Sequence, residues 1–172
     1  SEGARERYGA SSLLGESSIV SSRTNSLEMR EALRPHIGKL LPRILRACHD
    51  PNKQTREQMM SLWVGLTGGG SESRLAVTQH LLPAVDILIA DSASKLWRAR
   101  VGACGALAEI ITGRDWASLG GGPPVLNDDD LYGATTASAG IRLLRFWRTA
   151  MRSLDDVRGA VRDSGEKLAR TG

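Results

Sequence analysis

The chain has 172 residues, 41% hydrophobic and 24% charged; that is the balance of a soluble globular protein, and no stretch reaches the ~18–20 apolar residues a membrane span needs. Two cysteines and three histidines, with no Cys-x-x-Cys or His-x-x-x-His spacing, exclude a disulfide framework and a structural zinc site. Net charge is +4, and it is localised: residues 1–140 carry 15 basic and 15 acidic side chains, residues 141–172 carry eight and four.

The opening "SEGARERYGASS" has neither an initiating Met nor the charged-then-apolar layout of a signal peptide, which predicts a cytosolic piece of something longer. Residues 1–26 are Ser-rich, with apolar pairs but no sustained stripe, and read as a partial or frayed repeat. From Leu27 onward helical spacing sets in, and Pro35 suits the first turn of a new helix, where a missing N–H costs nothing.

That helix carries Ile37, Leu40, Leu41, Ile44, Leu45 and Cys48 along one face. Pro42 lies inside it. The segment "DPN" at 50–52 breaks the pattern; Arg56, Met59, Met60, Trp63 and Leu66 then restore a stripe that runs to "GGG" at 68–70, which reads as a flexible linker. The same order returns with Leu81, Leu82, Val85, Leu88 and Ile89, a turn at "DSAS", and a second stripe of Val101, Cys104, Leu107, Ala108 and Ile111. Leu40-Leu41-Pro42 and Leu81-Leu82-Pro83 stand 41 residues apart, within the ~40–47 of a HEAT-type helix pair. Pro83 is expected to repeat the kink of Pro42.

A third copy follows in Leu143, Leu144, Trp147, Met151 and Leu154, then "DDVRGAVR" ending at Arg162; "DPNKQTR" ending at Arg56 and "SKLWRAR" ending at Arg100 occupy the same place in the earlier copies. The expected pairs are 35–67, 73–113 and 128–171, with a Gly/Pro loop near 115–127, all within an array at 27–172. Gly102, Ala103, Gly105 and Ala106 would let a helix approach closely. A hairpin with one apolar stripe per helix cannot hide those stripes alone, so the predicted fold is all-α: an α-solenoid of stacked antiparallel HEAT-type helix pairs.

Few residues suggest chemistry. Cys48-His49 point about 100° apart on a helix, the wrong arrangement for a nucleophile and its base. Asn127, Asp128, Asp129 and Asp130 suit a helix N-terminus better than a calcium loop, and neither Gly-Gly-Gly is followed by the Lys-Ser/Thr of a phosphate loop. No catalytic, metal or cofactor residue is expected. Arg142, Arg145, Arg148 and Arg152 recur on one arc of a helix, opposite Leu143, Trp147, Met151 and Leu154; they form either a docking stripe for an acidic partner or a solvated outer face. Trp97 beside Arg98 and Arg100 either pins a partner or staples its own turn to the next helix. Aromatics at 4% and a basic excess confined to one segment argue against nucleic-acid binding.

The strings "LLPRILRACHDPNKQTREQMMSLW", "SKLWRARVGACGALAEIITGR" and "DDVRGAVRDSGEKLA" together resemble the large HEAT-repeat adaptor and scaffold family of the ECM type, which associates with the proteasome. Trp63 after Met-Met-Ser-Leu, and Trp97-Arg98-x-Arg100, are the more particular matches. The resemblance implies a non-enzymatic solenoid that binds proteasome core and regulatory particles and tethers or steadies them, in the cytoplasm and also the nucleus. The Ser-rich start and the Gly-Gly-Gly-Pro-Pro insertion depart from that family. A general HEAT transport or assembly receptor is the alternative reading, and a helical-repeat enzyme acting on nucleic acid is a further one.

Overall fold

The computed structural model describes residues 28, 30–115, 119 and 139–171. The chain divides into two units, residues 1–36 and 37–172. In the first, residues 28 and 30–33 are helical and Arg34–His36, with Pro35 inside, form a 3-10 turn. The expectations for residues 1–26, for Gly120-Gly121-Gly122 and for Asn127–Asp130 fall outside the described residues.

The second unit holds seven described helices: α1 (Ile37–Cys48), α2 (Lys53–Thr67), α3 (Gly70–Gln79), α4 (Leu81–Asp91), α5 (Trp97–Ile111), α6 (Ala139–Leu154) and α7 (Gly159–Thr171). No strand occurs among the described residues. Helix α1 packs on α2, α4 on α5 and α6 on α7, and the pairs stack into one another, which makes this an all-α helical-repeat fold.

Local chemistry explains the breaks. Asn52 starts α2 by accepting the Thr55 N–H at 3.1 Å, which satisfies one of the donors a helix leaves orphaned at its N-terminus. Gly68 ends α2 in a left-handed conformation, φ 94°, with its N–H on Val64 O; Gly69 and Gly70 follow at φ 81° and 53°. Three positive φ values in succession are open to glycine at little cost, so this Gly-Gly-Gly forms a tight corner into α3 rather than a loose linker. Pro83 also departs from expectation. It lies in the first turn of α4, after a break at His80, where no helical N–H partner is lost; Pro42, by contrast, is inside α1 and buried.

Helix α5 is the centre of the unit. Residues 101–108, Ile110 and Ile111 are all buried, because α1, α4, α6 and α7 surround the helix. Its small residues make this possible. A Cβ on Gly102 would stand 2.4 Å from Arg46 O of α1, one on Gly105 2.8 Å from the His49 ring, and one on Gly165 of α7 2.6 Å from Ser153 Cβ of α6. Around α5 the core is completed by Leu41 and Leu45, by Leu81, Val85, Leu88 and Ile89, and by Phe146, Ala150 and Leu168; each large side chain contributes about 1.5–3 kcal/mol on burial.

Two stripes lie differently from the sequence pattern. On α2 only Leu66 and Thr67 are buried, and Met60 is 57% exposed, because α2 packs on α1 and α3 alone of the helices with extensive contact. On α6 the buried line is Phe146, Thr149, Ala150 and Ser153, while Leu144, Met151 and Leu154 face solvent. Small polar Thr149 and Ser153 pack against α4 and α5, with Thr149 Oγ1 3.4 Å from Ser92 Oγ and Ser153 Oγ 3.2 Å from Cys104 Sγ, and that contact sets the rotation of the helix.

The close approach at Gly102 predicts that Gly102→Ala destabilises the unit by about 1–3 kcal/mol through overpacking against backbone. Gly65→Ala, at an exposed helical site with nothing within 4 Å of an added Cβ, should instead stabilise by about 0.5–1 kcal/mol. Urea unfolding of the two variants checks both signs.

Candidate functional site

The turns within the three helix pairs are built alike. An acceptor side chain opens each turn and takes the N–H two residues on: Asp50 Oδ1 from Asn52 at 2.8 Å, Ser94 Oγ from Leu96 at 3.2 Å, Asp156 Oδ1 from Arg158 at 2.9 Å. Six residues after each stands an arginine whose Nη1 folds back on the turn's own carbonyls. Arg56 donates to Asp50 O and Pro51 O, Arg100 to Ser94 O and Lys95 O, Arg162 to Asp156 O. Carbonyls of a turn that must double back have no helical donors, and one planar guanidinium supplies several. The arginine at this spacing is therefore a turn staple.

Neighbouring turns are also joined. Arg100 forks onto Asp156, Nε to Oδ2 at 2.8 Å and Nη2 to Oδ1 at 3.0 Å, with both side chains largely buried. Arg98 Nη2 reaches Asp50 Oδ1 at 2.6 Å, and Arg46 Nη1 reaches Asp91 Oδ2 at 2.6 Å. The three turns thus form one edge. The Arg100 bond, working against burial and helped by the Arg158 N–H and the charges of Arg100 and Arg162, holds the Asp156 carboxyl below its ordinary value. At Asp50 burial pushes upward, and the Arg98 bond, the Asn52 N–H and the charges of Arg98 and Arg56 outweigh it, so that this carboxyl is lowered as well.

The arginines of α6 are placed unevenly. Arg142 and Arg145 reach Asp86 of α4 at 3.3 and 3.5 Å, and Arg152 Nη2 donates to Ser92 Oγ at 3.3 Å. Arg148 is exposed, with no bonding partner among the described residues. Three of the four thus spend donors on the fold itself. Trp97 is half-buried at the start of α5, and Arg98 is half-exposed beside it. Sequence reasoning overlooked Asp86, Asp91 and Asp156 as the carboxylates met by Arg142, Arg46 and Arg100; only for Arg100 did the recurring Arg at the end of each turn give a signal.

Other reactive groups are quiet. The Cys48 thiol is pushed up to about 11 by burial and then by the Glu109 charge, so it is protonated at neutral pH and a poor nucleophile. Burial also raises Cys104. His49 Nε2 meets Glu109 Oε2 at 2.6 Å, and this bond lowers the Glu109 carboxyl against the effect of burial. Among the described residues no group of three His, Cys, Asp or Glu side chains is placed to hold a metal ion, and no helix is long and apolar enough to cross a membrane.

The fold and its stapled turns define a helical-repeat protein whose notable side chains serve joints between repeats. No family model and no solved structure matches the chain. Among curated proteins it is similar to the proteasome adapter and scaffold protein ECM29 of Homo sapiens, 29% identical over 141 residues. It is 24% identical over 143 residues to the proteasome-associated protein ECM29 homolog of Drosophila melanogaster, and 25% identical over 130 residues to the proteasome component ECM29 of Saccharomyces cerevisiae. These matches cover 82%, 81% and 76% of this chain but 6%, 7% and 6% of the respective relatives, so the chain spans a small fraction of their length.

The Arg100–Asp156 fork predicts that Arg100→Gln and Asp156→Asn each cost about 1.5–3 kcal/mol, as expected for hydrogen bonds to charged groups, and that the double variant costs less than their sum. Because the Asp156 carboxyl is lowered from 3.8, its contribution is complete above that value and disappears as pH falls through the lower folded-state one. The stability gap between the parent chain and Asp156→Asn should therefore be constant near neutrality and close only in acid, as measured by denaturant titration across pH.

Proposed function

We propose that this chain is a non-enzymatic interaction segment of a proteasome-binding scaffold. The carrying observation is the similarity, across most of the chain, to three proteins each named for association with the proteasome. The geometry is compatible with that role. Helix pairs joined by Arg–Asp bonds make a firm body, and such a body offers turns and helix faces to other proteins without making or breaking a bond. Tethering of core and regulatory particles, and residence in cytoplasm and nucleus, belong to the same proposal.

Co-sedimentation of the purified chain with proteasome holoenzyme, core particle and regulatory particle tests it. At least one particle is expected to carry the chain down, with chemical cross-links at exposed Lys53 or Lys95. Absence of the chain from every pellet at low salt overturns the reading.

A further inference from the structure

The edge formed by the three turns leaves two large apolar side chains open to solvent. Leu96 is 71% exposed and Val157 88%, and the two stand on adjacent turns clamped by Arg100, which bonds Ser94 O, Lys95 O and Asp156 together. Beside Leu96 opens a cleft of about 440 Å³ whose lining includes Arg46, Ala47, Asp50, Leu96, Trp97 and Arg98. Its lining mixes aliphatic and aromatic surface with two guanidinium groups and one carboxylate, that of Asp50, which is largely buried and bonded to Arg98.

Those two groups are not equally occupied by their partners. Arg46 is held by Asp91 and is one-third exposed; Arg98 is half-exposed and gives only Nη2, to Asp50. Its Nε and Nη1 meet no acceptor among the described residues. A guanidinium fork is shaped to take a carboxylate through two parallel N–H bonds. Two arginines against one aspartate leave the lining net positive, and exposed Lys95, next to Leu96 in the chain, adds to it. A single half-buried tryptophan gives no series of stacking platforms for a nucleic-acid strand.

We propose that this cleft receives an acidic peptide segment of a partner protein, with a bulky apolar side chain seated between Leu96 and Trp97 and a carboxylate on Arg98. The proposal rests on the scaffold reading above and names the chemistry of one of its partners. The apolar contact supplies the anchor and the carboxylate supplies register, the division of labour usual at small interfaces.

The test uses the whole chain and a fluorescein-labelled peptide Glu-Glu-Leu-Phe-Glu-Glu, followed by fluorescence anisotropy. Saturable binding is expected, weaker at high salt, with affinity reduced about tenfold or more by Leu96→Ser and by Arg98→Gln. Leu96 is exposed and stands at the N-cap of α5, where Ser is a better cap than Leu, so Leu96→Ser should not lower the thermal unfolding midpoint, which separates lost contact from lost fold. Peptides with Ser-Gly in place of Leu-Phe, or Lys in place of Glu, should not bind. Failure of the acidic peptide to bind, unchanged affinity in folded Leu96→Ser, equal binding of the Lys peptide, or displacement by poly-uridine each overturns the assignment. Peptide binding without particle co-sedimentation would remove the proteasome reading and keep the cleft; particle co-sedimentation without peptide binding would do the reverse.

Discussion

The contact between α5 and the last turn of α1 is the constraint on which the other packing depends. Gly102 brings the α5 backbone so near Arg46 O that a single methyl group has no room, and Gly105 does the same against His49. Glycine within a helix costs about 1 kcal/mol relative to alanine, and here that cost is offset by the depth of burial it permits. With α5 so placed, its remaining faces meet α4, α6 and α7, and Ala103, Cys104, Ala106, Leu107 and Ala108 are removed from water altogether. The same closeness brings two polar pairs into range, His49–Glu109 and Asp50–Arg98.

Close packing alone would leave the turns between paired helices with unsatisfied carbonyls. The recurring arginine resolves this, and the position of its guanidinium makes a second task available. Arg100 bonds its own turn through Nη1 and the next turn through Nε and Nη2. One side chain therefore both closes a hairpin and fixes its neighbour, so a conservative Lys, with a single ammonium, cannot replace it.

The helical class, the paired arrangement and the turn arginines were legible because each imposes a spacing: 3.6 residues for a buried face, about 40 for a hairpin, six from turn acceptor to staple. What was not legible depends on neighbours. The face that α6 buries is set by Thr149 and Ser153 meeting Ser92 and Cys104, a polar seam that a search for apolar stripes passes over in favour of Leu144 and Met151. Likewise α2 shows a periodic Met59, Met60, Trp63 and Leu66, yet periodicity carries no information about whether a partner helix is present to cover it. The arginines of α6 looked like an outward stripe because Asp86, 56 residues before Arg142, gives no local sign of its proximity. Pro83 copies Pro42 in sequence but not in effect, since the helix start that makes it harmless is set by the break at His80.

The two joints between repeats differ in polarity, and the difference follows from one residue. At the later joint the turn-to-turn bond is donated by the earlier turn, Arg100 to Asp156; at the earlier joint it is donated by the later turn, Arg98 to Asp50, while Arg46 of α1 donates separately to Asp91 at the end of α4. Ser94 stands where the other two turns carry aspartate, and a hydroxyl can hold the turn's N–H but cannot also bind a guanidinium fork. Arg56 accordingly bonds only within its own turn, and Arg98, outside the stapling register, takes over the link between turns. An arginine in register divides its donors between two turns and is largely buried, as Arg100 is; an arginine out of register reaches its acid with one nitrogen and leaves the rest toward solvent, as Arg98 does. The serine that interrupts the pattern of acids is thus also the reason the cleft beside Trp97 is walled by an arginine with donors to spare.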